Sequence, residues 1–289
     1  MSMMKRFLIP VLALLLAGCA VRIDTPDPTP EPPSQAEIVR QREVLRAEVF
    51  AGIGFGEGAA VATHAQIQLD ALGGVWEAWP DGDGPTDAET PEGADIATPP
   101  GPTELSAALV QTTPDLVEAA IDADNAVSSS LYASIAVART ADEVALALAQ
   151  GQPGSPSWPD SALTALPEVI RALDAAAYGL DILAAQDSAA GLETTAQADA
   201  ERFRRWADAS ALELGIAGTD QDPREPLYSV ETIERGRIYA DLAEVLVTAV
   251  PPSADRGAVL AAAQACATAA TLHGATVGPL PGLALPRSG

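Results

Sequence analysis

Four polar side chains recur at helical spacing in the second half of the chain: Arg171, Asp174, Tyr178 and Asp181. Steps of three, four and three residues place them on one face of an α-helix. A guanidinium, a phenol and two carboxylates on one face could form a polar pocket between helices. The alternative is a partly solvated face with an Arg171–Asp174 ion pair, and the spacing alone favours that alternative.

Histidine and cysteine, which commonly bind metals or take part in catalysis, are scarce. The chain has two histidines, His64 and His273, and two cysteines, Cys19 and Cys266. Cys266 and His273 share a helix face, but they are separated by about 10 Å along the axis, so they cannot bind one metal without other helices. Cys266 lies among alanines, which predicts a small buried residue. We therefore predict no catalytic residue, no metal ligand and no cofactor.

The beginning of the chain carries a targeting pattern. Lys5 and Arg6 precede an apolar run, residues 7–16, which is too short to span a bilayer as a helix. The sequence Leu16-Ala17-Gly18-Cys19 follows, and small residues before a cleavage point are typical of secretory signal peptides. This segment resembles the lipobox of bacterial lipoproteins. The resemblance implies cleavage before Cys19 and a diacylglyceryl group on its thiol; the alternative is an ordinary signal peptide with an incidental cysteine.

Cleavage would remove residues 1–18 as a lipoprotein signal peptide and leave a more acidic chain. The whole sequence has a formal net charge of −24, and loss of Lys5 and Arg6 leaves 14 basic against 40 acidic residues, or −26. Such a chain is repelled by anionic membrane surfaces and does not fit nucleic-acid binding. We expect an extracytoplasmic protein anchored to the cell membrane by lipid on Cys19. Its partner would be an envelope protein or ligand that the sequence does not identify.

The segment after the cysteine is predicted to be a tether. Residues 19–34 are rich in proline and acidic residues, which favours polyproline II and forbids a helix. At about 3.1 Å per residue, the tether could reach roughly 45 Å from the membrane. The capping box Ser34–Glu37 predicts that a helix begins there. The basic and acidic residues that follow, including Glu43 and Arg46, are assigned outside the apolar stripe of this helix.

Residues 35–150 are predicted to be an N-terminal helical module. Residues 80–102, rich in Asp, Glu, Gly and Pro, interrupt it as an acidic loop. Thr113 and Pro114 are interpreted as the N-cap and first residue of a new helix. A second capping box, Thr140–Glu143, predicts a further helix start.

Residues 160–276 are predicted to hold four helices, and residues 277–289 a Pro/Gly-rich tail. No alternating pattern of useful length indicates a strand. Alanine dominates the apolar residues and is the best helix former. The expected helices span about 167–186, 192–214, 230–250 and from Ser253 to about His273. The few large side chains are interpreted as core or contact residues: Phe203, Trp206, Tyr178 and Tyr239.

Four segments together resemble the ferritin-like domains of unknown function found in actinobacterial lipoproteins. They are Ala175–Gly179, Gly218–Tyr228, Gly278–Leu283 and His64–Trp76. The resemblance implies an all-α fold, with a ferritin-like four-helix bundle in the C-terminal half packed with or beside an N-terminal helical module. It implies no established reaction.

A di-iron site does not fit the residues that such a fold would offer. It needs carboxylates and two Glu-x-x-His motifs. Val61 stands three residues before His64, and Ala270 three before His273, so neither motif is complete. The leading hypothesis is a lipid-anchored, non-catalytic binding or scaffolding protein of the cell envelope. Two alternatives stay open: a degenerate ferritin-like binder of a metal or small molecule, and an enzyme that uses the Arg171–Asp181 face.

Overall fold

The computed structural model describes residues 33–54, 56, 58–74, 102–161, 163, 166–192, 195–229 and 233–284. Several predicted segments lie outside the described residues: the signal peptide, Cys19, nearly all of the tether, the acidic loop up to residue 101 and the end of the tail.

The described residues form helices and contain no strand. The prediction of an all-α fold is therefore confirmed. In that part of the chain there are eight helices: α1 (Gln35–Ala51), α2 (Ala59–Leu72), α3 (Pro102–Asp122), α4 (Ala126–Ala149), α5 (Pro167–Ala189), α6 (Ala196–Glu213), α7 (Arg235–Ala249) and α8 (Arg256–Leu272).

The helices pack first with their neighbours in the sequence. Helix α1 packs on α2, α3 on α4, α5 on α6 and α7 on α8. Helix α4 also packs along α8, and α5 along α7, while α2 contacts α4. None of the helices within the described ranges is long and apolar enough to cross a membrane.

Alanine explains how α8 fits between α4 and α7. Ten of its residues are buried, and six of them are alanines. Small side chains on several faces let neighbouring helix axes approach closely, at the cost of less apolar area per residue. Large residues fill the remaining space at other helices: Phe203, Trp206 and Tyr239 are buried, as predicted, whereas Tyr178 is half-buried.

One hydrophobic core contains residues from both predicted modules. Val44 of α1 and Leu116 of α3 belong to the same cluster of buried residues as Leu173, Leu246 and Leu260 from α5, α7 and α8. The domain boundaries at residues 35–150 and 160–276 stay predictions, because a shared core does not show whether either part folds alone.

The start of α1 agrees with its sequence signal, but a predicted helix start at Thr113 is wrong. The Glu37 amide donates a hydrogen bond to Ser34 Oγ at 3.2 Å. Helix α3 continues through Pro114, and the Thr113 hydroxyl donates to the Leu109 carbonyl at 2.8 Å instead of capping. Buried leucines on both sides of the proline, Leu105, Leu109 and Leu116, hold the two halves in one helix.

The predicted helix start at Thr140 is also wrong. Helix α4 continues through this residue, whose hydroxyl donates to the Ala136 carbonyl and accepts from Gln264 of α8 at 2.9 Å each. The actual cap is Asn125, whose Oδ1 accepts from the Ser128 amide at 2.9 Å. Burial against α8 therefore extends α4 across a local signal for a helix end.

Three later helices begin a few residues after their predicted starts. Helix α6 begins at Ala196 rather than at Leu192, and α7 begins at Arg235. Asp255 rather than Ser253 caps α8, with Oδ1 accepting from the Ala258 amide at 2.9 Å. The shifts range from two to five residues, because sequence patterns place the ends of helices less precisely than their existence.

Candidate functional site

A carboxylate without solvent exposure lies at the centre of the first four helices. Glu43 of α1 accepts from Arg46 Nη1 at 2.7 Å and from Arg139 Nη1 of α4 at 3.0 Å, so each carboxylate oxygen bonds a different guanidinium. Glu43 and Arg46 are buried, which corrects their assignment outside the apolar stripe of α1. A helix of low amphipathicity can bury charged residues when a neighbouring helix supplies the counter-charge.

Arg139, like Glu43, is almost completely buried. Its side chain is 1% exposed, and its guanidinium lies 5.2 Å from the centre of the Phe50 ring. Its Nε and Nη2 atoms have no hydrogen-bond partner among the described residues. Burial lowers the pKa of Arg139, and the charge of Glu43 opposes that effect.

Two further ion pairs extend the buried group. Arg46 Nη2 lies 2.7 Å from Asp115 of α3, and His64 Nδ1 of α2 lies 2.9 Å from Asp142 of α4. Burial alone would lower the pKa of His64, but the hydrogen bond and charge of Asp142 outweigh burial and raise it. Side-chain contacts thus link α1 to α3, α1 to α4 and α2 to α4. We name the six side chains involved the buried charge network: Glu43, Arg46, Asp115, Arg139, Asp142 and His64.

A second polar group lies inside the later helices. The Tyr239 hydroxyl of α7 donates to Asp199 Oδ2 of α6 at 2.6 Å, and Arg202 also donates to Asp199. The Tyr239 ring stacks on His273 with ring centres 5.8 Å apart. Burial raises the pKa of Cys266, and the negative charge of Asp199 adds to this effect, so the thiol stays protonated at neutral pH.

The four residues of the predicted polar face of α5 contact three partners elsewhere in the chain, Glu225, Tyr228 and Arg204. Arg171 pairs with Glu225 at 2.5 Å rather than with Asp174. Asp174 accepts from the Tyr228 hydroxyl at 2.8 Å, and the Tyr178 and Tyr228 rings are 5.8 Å apart.

The fourth residue of that face, Asp181, pairs with Arg204 of α6. Burial raises the pKa of Tyr228 to about 12, so its hydroxyl remains a donor to Asp174. The face therefore holds the loop 218–228 and helix α6 against α5.

An open cleft of about 750 Å³ lies beside the aromatic residues of α6. Trp158 and Trp206 line it together with Arg202 and Arg205. The guanidinium of Arg202 lies over the Trp158 ring, 4.9 Å from its centre, as in a cation–π contact. Asp160 and Asp208 also line the cleft, so its wall carries charges of both signs. We name it the tryptophan cleft.

A second cleft, of about 320 Å³, lies between α1, α3 and α4. Its wall includes Asp115, Glu118, Asp122 and Asp124, with Tyr132 of α4 also lining it. We name it the acidic cleft. The volumes of both clefts fall in the range of small-molecule sites.

Metal ligands do not converge within the described ranges: no three His, Cys, Asp or Glu side chains there are placed to hold one ion. His64 lies on α2 and His273 follows α8, each with a different aromatic or acidic neighbour.

The buried charge network was missed because its members come from four helices. A local signal existed for Arg139, which follows a run of small and apolar residues, Ser134–Ala138, that predicts burial. No comparable signal marks Glu43, whose partner is 96 residues away. The contact between α1 and α4 decides its role.

No protein-family profile, curated protein or solved structure matches the chain. The ferritin-like resemblance stays a prediction.

Proposed function

We propose that this chain is a lipid-anchored, extracytoplasmic protein of the cell envelope whose helical body serves as a non-catalytic binding or scaffolding module. The observation that carries the proposal is Leu16-Ala17-Gly18-Cys19 after a short basic and apolar segment. A signal peptide that ends at a cysteine supplies both export and a point of lipid attachment.

The charge of the chain supports lipid as the means of attachment. A mature net charge of −26 opposes adsorption to an anionic membrane surface. Buried acyl chains contribute roughly 0.8 kcal/mol per methylene, and two or more chains give stable anchoring. The proline-rich residues 19–34 would then hold the helical body away from the membrane.

The state of the reactive side chains supports binding rather than catalysis. Cys266 is fully buried with a raised pKa, which opposes thiolate formation. His64 is held by Asp142, and the carboxylate of Glu43 by two arginines. Side chains that neutralise one another in this way stabilise a scaffold.

Membrane fractionation of the expressed protein tests the anchor. Wild-type protein is expected in the membrane fraction and to be released by detergent, whereas Cys19→Ala is expected in the soluble extracytoplasmic fraction. Cys266→Ala is the matched control, because it removes the other cysteine and should leave the protein on the membrane. A Cys19→Ala chain that still sediments with membranes would contradict the proposal.

A second candidate function is that of a degenerate ferritin-like binder of a metal or small molecule. The tryptophan cleft favours its small-molecule form, since aromatic and guanidinium groups can hold a planar or anionic ligand. Metal analysis of the purified protein after loading with ferrous or manganous ion tests whether it binds a metal. Stoichiometric, chelator-sensitive binding that raises the melting temperature would favour the metal form over a scaffold.

A further inference from the structure

We propose that a groove between α2, α4 and α7 is a binding site for an uncharged, proline-rich segment, and that the segment of a second copy can replace the chain's own there. Residues 276–283, named here the strap, occupy this groove. The proposal goes beyond the anchoring and scaffolding function and does not depend on the lipid anchor. We name the helix surface under the strap the strap groove: Gln68 of α2, Ser134 of α4, and Glu244, Val247 and Thr248 of α7.

The strap ends in a turn that its sequence favours. The turn spans Leu280–Leu283, and the Leu283 amide donates to the Leu280 carbonyl at 3.2 Å. Pro281 at the second position and Gly282 at the third, with a φ of 74°, match a type II turn. A Cβ on Gly282 would also lie 2.7 Å from the Glu244 carbonyl oxygen. Glycine is therefore needed both for the turn and for the close approach to α7.

Two buried donors of the groove bond to carbonyls of the strap. Ser134 is fully buried, and its Oγ donates to the Pro281 carbonyl at 2.8 Å. Gln68 is 1% exposed, and its Nε2 donates to the Pro279 carbonyl at 3.2 Å. A proline-rich segment lacks many N–H groups but keeps its carbonyls. Since a buried donor without an acceptor costs free energy, the groove favours an occupant that supplies carbonyls at these two positions.

Apolar side chains between those carbonyls complete the match. Val277 and Leu280 are each 6% exposed and belong to the same cluster of buried residues as Val247 of α7. Residues 274–286 contain no Asp, Glu, Lys or Arg, although the chain has a net charge of −24. An uncharged segment is not repelled by so acidic a chain. Carbonyl positions and apolar side chains, rather than charge, therefore select the occupant.

The strap can leave its groove without breaking a helix. Among the described residues, no backbone–backbone hydrogen bond joins residues 276–283 to a helix. An open cleft of about 510 Å³ lies between the strap and α7. Segments that are held by few contacts open first in local unfolding. The strap has these properties, whereas the helices under it are buried against one another.

A second copy of the chain is the occupant that fits the groove at every contact. It carries the same carbonyls, the same two buried apolar side chains and the same turn. Exchange of an identical element between copies forms in the pair the contacts that each chain makes alone, which is why such exchange costs little free energy. The groove of one copy would then be completed by Pro279 and Pro281 of the other.

Fluorescence anisotropy of a labelled peptide with the sequence of residues 274–286 tests the groove in the full-length protein in detergent. Wild-type protein should bind the peptide weakly, because its own strap competes. Gly282→Ala should bind it at least tenfold more tightly, because the added Cβ displaces the strap and leaves the groove unchanged. Adding Ser134→Ala to that variant should weaken peptide binding about fivefold to tenfold through loss of one hydrogen bond.

Gly278→Ala is the matched control, because a Cβ there would meet no atom within 4 Å. Its affinity for the peptide should stay close to that of wild type. A peptide that itself carries Gly282→Ala should bind the Gly282→Ala protein at least tenfold more weakly than the native peptide. Equal binding by wild type, Gly278→Ala and Gly282→Ala would overturn the proposal, as would equal affinity for the two peptides. Circular dichroism establishes that the variants are folded.

Disulfide crosslinking of two differently tagged copies tests the exchange itself and keeps Gly282 in place. One copy carries Thr248→Cys and the other Leu283→Cys, because both positions line the cleft beside the strap. Cys266 is fully buried and does not compete. Oxidation after mixing should join the two tags in one product, whereas a mixture with Asp220→Cys, at an exposed position outside the cleft, in place of Thr248→Cys should give none. No crosslink in the first mixture, or an equal amount in both, would overturn the assignment to a second copy, even if the peptide binds.

Discussion

Replacing Glu43 by glutamine isolates the role of the buried charge network. Glutamine keeps the shape of the side chain and removes the charge that two guanidiniums share. Arg46 retains Asp115 at 2.7 Å, but Arg139 loses the carboxylate that compensates it at 1% side-chain exposure. The variant therefore tests the cost of an uncompensated buried guanidinium.

The expected loss in free energy of unfolding is about 3–5 kcal/mol, the usual cost of breaking a buried ion pair from one side. Two nitrogens of Arg139 already lack a hydrogen-bond partner among the described residues, so the guanidinium depends on Glu43 for its compensation. For a chain of this size, each kcal/mol shifts the melting temperature by roughly 2–4 °C, so the midpoint should fall by about 6–20 °C.

Urea denaturation followed by circular dichroism measures this loss in the free energy of unfolding. Two further variants serve as references. Asp241→Asn breaks the exposed pair with Arg237 at 2.7 Å and should cost less than about 0.5 kcal/mol. Glu43→Leu combined with Arg139→Met should cost less than Glu43→Gln, because no charge is left unpaired between α1 and α4. A loss below about 1 kcal/mol for Glu43→Gln, or a combined variant as unstable as the sum of its single substitutions, would refute the reasoning.

Histidine, glycine and cysteine positions test other contacts. The stability difference between wild type and His64→Asn should be largest below about pH 6.5 and fall as pH rises through the raised pKa of His64, measured as urea midpoints across pH 5–8. Gly236→Ala should destabilise by about 1–3 kcal/mol in thermal melts, because a Cβ there lies 2.9 Å from a backbone oxygen. Gly179→Ala should cost less, because its nearest neighbour is a flexible side-chain tip; equal losses would contradict this. Cys266 should react with thiol reagents only in urea, and fast labelling of native protein would argue against its burial.

Helix content could be predicted from the sequence because it depends on local residues. Alanine-rich, amphipathic segments and the cap at Ser34 predict helices that are present. The predicted starts at Thr113 and Thr140 are wrong because burial against other helices outweighs a cap worth about 1 kcal/mol. Threonine in a packed helix instead donates its hydroxyl to a carbonyl one turn back.

The candidate sites were harder to predict because their partners are distant in sequence. Glu43 and Arg139 are 96 positions apart, and Arg171 pairs with Glu225, 54 positions away, rather than with nearby Asp174. Spacing along one helix identifies a shared face but not the residues of the helix that covers it. The packing of helices that are distant in sequence determines which charges meet.

The mass of the mature chain tests the proposed lipid anchor most directly. Intact-mass and peptide analysis of protein purified from its native membrane should find a chain that begins at Cys19 and carries a diacylglyceryl group on that cysteine. A mature chain that begins at another residue, or one with an unmodified Cys19 thiol, would contradict the account.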